Sequence, residues 1–253
     1  MCGDFGRCRK GKIRKTLLGK LYGVGLGPGD PELLTLKAKK ILIKVDIIFV
    51  PKASEKKDSL ARHILERAIP KKLHLEQLLF PMTRNKKILR KSWDEAAKKV
   101  IKVVDQNKQV AFVTIGDPFI YSTYSYLLKC VKSKRPDIPV ETIPGISAMN
   151  LVASLVETPL VEGNEKLALL PLPEDLDRLK EIFCKFDTTV LMKIGKRLRP
   201  LIAFLKKMGL ENSAFFVSHA GYPDQYIAKG VSYLSEETSG YLSVLIVKSK
   251  GEV

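Results

Sequence analysis

From Leu21 to about Val156 the chain repeats one pattern: a short apolar run, a turn rich in glycine or proline, then apolar residues at helical spacing. Leu21–Gly25 predicts a strand that runs into the turn Gly25-Leu26-Gly27-Pro28-Gly29-Asp30. Asp30 is placed to cap a helix, with Pro31 at its first position and Glu32 beside the positive end of its dipole. Leu33, Leu34, Ala38, Ile41 and Leu42 carry that helix onward. Asp46–Val50 predicts a second strand ended by Pro51, Gln109–Ile115 a third and Val140–Ile143 a fourth. Helices are expected over 58–68, Ser92–Asp105, about Ser122–Ser133 and Ser147–Val156. Strand–turn–helix units in series predict an α/β fold built on a mostly parallel sheet with helices on both faces.

The second half has a different texture. After a joint at Pro159–Gly163 the pattern predicts strand (Lys166–Leu170), helix (Glu174–Phe186), strand (Thr188–Ile194) and helix (Arg197–Met208). Ser213–Ser218, Gln225–Lys229 and Tyr241–Lys248 then read as strands with no helix between them, hence a mixed sheet. The expected organisation is a basic arm over 1–19, an α/β domain over 20–157 and a second α/β domain with a mixed sheet over 158–253.

Charge narrows the partners without choosing one. The chain carries 44 Lys and Arg against 27 Asp and Glu, a formal net charge of +17. Part of that excess sits in the first twenty residues, where Arg7, Arg9, Lys10, Lys12, Arg14, Lys15 and Lys20 face only Asp4. A basic chain suits an acidic partner, whether nucleic acid, an anionic membrane or a polycarboxylate or phosphate ligand; solvated lysine faces are the plain alternative. No span reaches the roughly 18 uncharged residues that a membrane helix needs, and no apolar run suits a secretory signal. Cys2, Cys8, Cys130 and Cys184 show no metal-ligand spacing and fit a reducing compartment, so the expected location is the cytoplasm and no resident metal is expected.

The glycine-rich first loop is not a dinucleotide fingerprint. Counted from Gly23 or Gly25, the third glycine of G-x-G-x-x-G falls on Pro28 or Asp30. Three loops of this kind follow strands, at Gly25–Asp30, Gly116–Pro118 and Pro144–Ser147. In an open α/β sheet, ligands bind beyond the carboxyl ends of the strands, and glycine there admits them close to the backbone. Such a site suits a nucleoside ligand. No HExxH, nucleophile elbow, catalytic triad or metal quartet appears, and His63, His74 and His219 are scattered.

The loops also carry a resemblance. GVGLGPGDPELLTLKA (Gly23–Ala38), GDPFIYSTYSYL (Gly116–Leu127) and IPGISA (Ile143–Ala148) resemble the tetrapyrrole methylase superfamily. Its members bind S-adenosylmethionine in a cleft between two α/β domains. Tyr121–Thr123, VPKAS (Val50–Ser54) and FPMTRNKKILRKSWDEAA (Phe80–Ala97) resemble, within it, the precorrin-2 and cobalt-factor II C(20)-methyltransferases of corrin (cobalamin) biosynthesis. LMKIG (Leu191–Gly195), SHAGYPDQ (Ser218–Gln225) and YLSVLIV (Tyr241–Val247) match more loosely.

The resemblance implies a methyl donor already activated as a sulfonium, so that alignment matters more than a strong acid or base. It places Pro28 beside the cofactor, Gly116, Asp117 and Ile120 at its methionine and ribose parts, and Ser147 and Ala148 near its sulfonium and carboxylate end. Ile194, His219, Ala220 and Leu242 would wall the adenine. Tyr121, Ser122 and Thr123 would face the macrocycle. Asp117 would either help remove the proton lost from carbon 20 or cap the next helix. A carboxylate-rich tetrapyrrole gives the positive charge a purpose, with Arg84, Lys86, Lys87 and Arg90 as the expected trough. The resemblance also implies a homodimer and no membrane or nucleic-acid partner. Two alternatives stand beside this reading: a superfamily methylase acting on a protein or on ribosomal RNA, and a basic nucleic-acid-binding module with merely structural glycine turns.

Overall fold

Apolar runs with few charges and many β-branched residues pair into two five-stranded sheets, one from each half of the chain. The structure is a computed structural model that describes residues 19–54, 59–232, 234–235 and 237–249. The basic arm expected over 1–19 lies outside them apart from Gly19.

The first sheet contains β1 (Lys20–Gly25), β2 (Ile47–Lys52), β3 (Leu75–Leu79), β4 (Gln109–Thr114) and β5 (Val140–Ile143), in the order β3-β2-β4-β1-β5. Every neighbouring pair is parallel, as crossover helices demand. Those helices are α1 (Leu36–Leu42), α2 (Leu60–Ala68), α3 (Lys86–Val104) and α4 (Tyr124–Lys134). The period-2 alternation of the strands splits their side chains between two cores. Leu21, Phe49, Val110 and Phe112 pack with Ala97, Val100 and Leu127 of α3 and α4. Val24, Ile48, Ala111 and Val113 pack with Ala38, Leu42, Ile64 and Leu65 of α1 and α2.

The second sheet contains β6 (Leu167–Pro171), β7 (Thr188–Met192), β8 (Ala214–Ser218), β9 (Tyr226–Lys229) and β10 (Ser243–Lys248), in the order β6-β7-β10-β8-β9. Only β6 and β7 run parallel; the other pairs are antiparallel, which is the expected mixed sheet. α6 (Arg178–Lys185) and α7 (Leu198–Lys207) cover one face through Leu179, Phe183, Leu201 and Leu205. The other face is covered from the first half. α5 (Ala148–Val156), which follows β5, lays Val152 and Val156 against Val190, Val217, Val244 and Ile246. Burying each of those two valines contributes about 1.5–3 kcal/mol. The same helix thus starts at the end of the first sheet and fastens the second.

Several boundaries differ from the sequence reading. The single helix expected after Asp30 is a 3-10 turn at Pro31–Leu33 followed by α1. Leu34 is extended, and Thr35 starts a new helix by accepting the Ala38 amide on Oγ1 at 3.2 Å. β2 continues through Pro51, because its pairing with β4 stops at Phe49 and a proline there interrupts no second ladder. β3 was not foreseen; it is an edge strand of five residues. α3 begins at Lys86 rather than Ser92, since Asn85 accepts the amides of Lys87 and Ile88. α6 begins at Arg178 rather than Glu174.

Candidate active site

The three glycine and proline loops meet at the carboxyl ends of β1, β4 and β5. The Gly116 amide donates to the Gly27 carbonyl at 2.7 Å, and the Leu26 amide to the Thr114 carbonyl at 2.9 Å, so the first two loops form a small antiparallel bridge. The third loop is pressed against both. A Cβ on Gly145 would stand 2.3 Å from the Gly116 carbonyl oxygen and 2.8 Å from Gly25 Cα. Backbone atoms cannot give way there, so the residue must be glycine. The first loop also touches the second half, where a Cβ on Gly29 would fall 2.5 Å from the Tyr222 ring and 2.7 Å from the Ala220 carbonyl.

These loops frame a cavity of about 740 Å³ between the two sheets. Pro28, Gly116, Asp117, Ile120, Ser147 and Ala148 line it from the first half, and Ala220 and Leu242 from the second. Tyr121, Ser122 and Thr123 line it too. Eleven residues expected at the site, drawn from five separate stretches of chain, are therefore brought together.

Local chemistry explains how several are held. Asp117 Oδ1 accepts the Phe119 amide at 2.8 Å and Oδ2 accepts the Gly145 amide at 3.2 Å. Asp117 is not a helix cap, because α4 starts only at Tyr124; its carboxylate ties two loops instead. Thr123 holds the N-cap position without a side-chain cap, and Ser122 just before it accepts the Tyr124 amide on Oγ at 3.1 Å and donates to Thr114 Oγ1 at 2.9 Å. Ser147 occupies the N-cap position of α5 without capping it and bonds to Asn150. Tyr121 has φ 49 and spans the halves by donating to the Leu169 carbonyl at 3.3 Å. Burial raises the pKa of its phenol.

Two expected wall residues do not reach the cavity wall. Ile194 is 1% exposed and packs in the core with Leu191 and Leu198. His219 sits behind the wall: its Nδ1 bonds Asp224, and its ring lies edge-on to Tyr222 and Tyr241, which do line the cavity. The expected basic trough also lies outside the wall. Arg84, Lys86, Lys87 and Arg90 are all exposed, and Arg84 Nη2 pairs with Glu174 Oε1 at 3.2 Å across the two halves. The wall at this point is Leu89 and Trp93, one turn apart on α3, with Trp93 stacked on Tyr126 at a centroid distance of 4.2 Å.

Sequence reasoning passed over Lys52, Lys193, Tyr222 and Tyr241. The Tyr222 hydroxyl is buried without a hydrogen-bond partner among the described residues, and desolvation pushes its pKa up to about 12. Lys193 opens onto the cavity with protein around it, and desolvation draws its ammonium pKa down. The available signal was a lysine directly after the apolar run Val190-Leu191-Met192, just before Ile194-Gly195. Among the described residues no group of three His, Cys, Asp or Glu side chains could hold a metal ion, and no helix is long and apolar enough to cross a membrane.

A family model for tetrapyrrole (corrin/porphyrin) methylases matches residues 20–233, a span that includes every loop of the cavity. The chain belongs to that family.

Among relatives of this tetrapyrrole methylase is a probable cobalt-precorrin-2 C(20)-methyltransferase of Methanocaldococcus jannaschii. The two are 39% identical over 236 residues, 92% of this chain and 97% of the relative. A precorrin-2 C(20)-methyltransferase of a Sinorhizobium species is 29% identical over 239 residues, 91% of this chain and 95% of that one. The fold is shared with uroporphyrin-III C-methyl transferase of Thermus thermophilus, solved with S-adenyl homocysteine. That likeness has a TM-score of 0.60 at 20% identity and covers 90% of this chain and 92% of that one. The tetrapyrrole methylase fold places the cavity between two α/β units, and the chain is a methyltransferase by family.

Proposed function

We propose that this tetrapyrrole methylase transfers the methyl group of S-adenosylmethionine to carbon 20 of cobalt-factor II rather than of metal-free precorrin-2, within corrin (cobalamin) biosynthesis. The observation that carries this reading is the convergence of the three resemblance-bearing loops on one cavity of about 740 Å³. The relative at 39% identity, named for the cobalt form, favours the metallated substrate.

The residues present fit the methyl donor. Pro28, Gly116, Asp117, Ile120, Ser147 and Ala148 offer backbone and small side chains where a nucleoside and an amino-acid tail need close approach. The orphan hydroxyl of Tyr222 offers a hydrogen bond from the second half. Bound there, the sulfonium supplies an activated methyl group; the protein's part is to align the acceptor carbon with it and exclude water. Tyr121, Ser122, Thr123, Trp93 and Tyr126 form the apolar and hydroxyl-bearing wall against which a flat macrocycle stacks. Arg84, Lys86, Lys87 and Arg90 stand outside that wall, where they attract its carboxylates. A cytoplasmic homodimer is the proposed working form, supported by the resemblance and by the free thiols of Cys130 and Cys184.

The test is methyl transfer from labelled S-adenosylmethionine to precorrin-2 and to cobalt-factor II in parallel, without oxygen. Labelled product from the cobalt compound is expected. Product from the metal-free compound alone overturns the cobalt assignment, and no product from either, with the cofactor bound, overturns the tetrapyrrole reading.

A further inference from the structure

Replacing hydrogen by methyl at an unsaturated ring-linking carbon leaves a proton to be removed, and the cavity must hold a group that accepts it. The ionisable side chains of the cavity wall are Lys52, Asp117, Tyr121, Tyr126, Lys193, Tyr222 and Tyr241. Asp117 is committed elsewhere, since each carboxylate oxygen already accepts a backbone amide. Desolvation raises the phenol pKa of Tyr121 and, further, of the buried Tyr222, which keeps both hydroxyls protonated.

Lys193 is placed differently. It directly follows β7 with φ 56, one of three non-glycine cavity residues with positive φ, the others being Tyr121 and Leu242. Such a conformation costs on the order of 1–3 kcal/mol and persists where the surroundings impose it, as at functional sites. It turns the side chain of the first residue after a buried strand onto the cavity wall. No ion-pair partner holds the amine among the described residues. The side chain is exposed toward the cavity, and desolvation by the protein around it lowers its ammonium pKa, which eases its passage to the neutral amine.

We propose that Lys193 is the proton acceptor of the methyl transfer. The methyl carbon–sulfur bond breaks with its electron pair going to sulfur, while a π pair of carbon 20 forms the new carbon–carbon bond. The carbon 20–hydrogen bond then breaks, its pair restores the conjugation, and the proton passes to the lone pair on Lys193 Nζ. This assignment rests on the C(20)-methylation reading above.

The experiment compares wild type with Lys193→Met and Lys193→Arg on the tetrapyrrole that the wild type methylates. Arginine keeps the charge and reach but accepts no proton. Expected is a fall in kcat of roughly 10²–10⁴-fold in both variants. KM and the calorimetric affinity for S-adenosylhomocysteine should stay near wild type. Wild-type kcat should rise with pH through a group missing from the variants' profiles, and substrate deuterated at carbon 20 should slow the variants further. Wild-type kcat in Lys193→Arg, or a raised KM alone in Lys193→Met, would show an anchoring cation and overturn the proposal. If neither variant folds, titration of ¹³Cε-labelled lysines in the wild type decides, because absence of any lysine titrating below the ordinary range overturns it. A wild type that methylates neither tetrapyrrole removes the functional reading, and this assignment with it.

Discussion

Asp117 Oδ2 accepts the amide hydrogen of Gly145 across 3.2 Å, joining the loop after β4 to the loop after β5, twenty-eight residues further along the chain. Its other oxygen closes a turn on Phe119. One carboxylate thus fixes the relative position of the backbone segments proposed to hold the methyl donor.

Asp117→Asn tests that link. An asparagine has one acceptor oxygen, so one of the two amides meets an NH₂ donor, and the lost charge-assisted bond costs about 1–3 kcal/mol. The expected result is a lower Tm and about tenfold weaker S-adenosylhomocysteine binding, tenfold being about 1.4 kcal/mol. Calorimetric affinity equal to wild type would show that the link is not needed to shape the site.

Gly145→Ala should do more. The added methyl meets the Gly116 carbonyl oxygen at 2.3 Å and Gly25 Cα at 2.8 Å, all backbone, so the loops must part. Overpacking of this kind costs about 1–3 kcal/mol. Differential scanning should show a clear drop in Tm together with loss of cofactor binding. Gly163→Ala, where nothing lies within 4 Å of the added Cβ, should leave cofactor binding intact.

The double change of Arg84→Ala and Arg90→Ala separates the macrocycle from the cofactor. Arg84 is nearly fully exposed, and a surface pair such as Arg84–Glu174 is worth about 0–1 kcal/mol, so stability should hardly move. The KM for the tetrapyrrole should rise several-fold, with a weaker dependence on salt, while S-adenosylhomocysteine affinity stays unchanged. Equal loss of both affinities would remove these arginines from the substrate's path.

Acid should loosen the first sheet through Glu141. Hydrogen bonds from Lys20 and Lys37, each at 2.6 Å, hold its carboxyl at about 2, well below the usual carboxylate range. A depressed folded-state pKa contributes stability that is complete above the unfolded value, roughly 4.3, and is lost as pH falls toward the folded value. Tm should therefore decline from about pH 5 downward, and Glu141→Gln should flatten part of that slope. An identical acid limb in the variant would assign the loss to other carboxylates, such as Asp137, held at about 2 by Arg135.

Much of this protein was legible in one dimension. The apolar runs of β1, β2 and β4 announce themselves because strands buried on both faces must be apolar along most of their length. The loops were legible for a related reason: proline and glycine fix backbone geometry locally, so Pro28, Gly116, Asp117 and Ser147 could be nominated from spacing and resemblance before any fold was known. β3 was not legible. Leu75–Leu79 carries two acids or amides among three leucines, and only the open edge of β2 makes it a strand.

What tertiary structure alone decided is which side chains face the cavity. Side-chain direction depends on the backbone angle at the end of each strand and on which helix packs behind it, and neither is a local property. Ile194 follows Lys193 by a single residue, yet the positive φ at Lys193 leaves the isoleucine in the core and the lysine on the cavity wall. His219 is likewise turned toward Asp224, leaving Tyr222 at the wall. The sequence by itself determined every strand but β3, the glycine loops and the family they belong to. Packing of α5 under the second sheet brought the two halves together, and with them the cavity and the lysine in its wall.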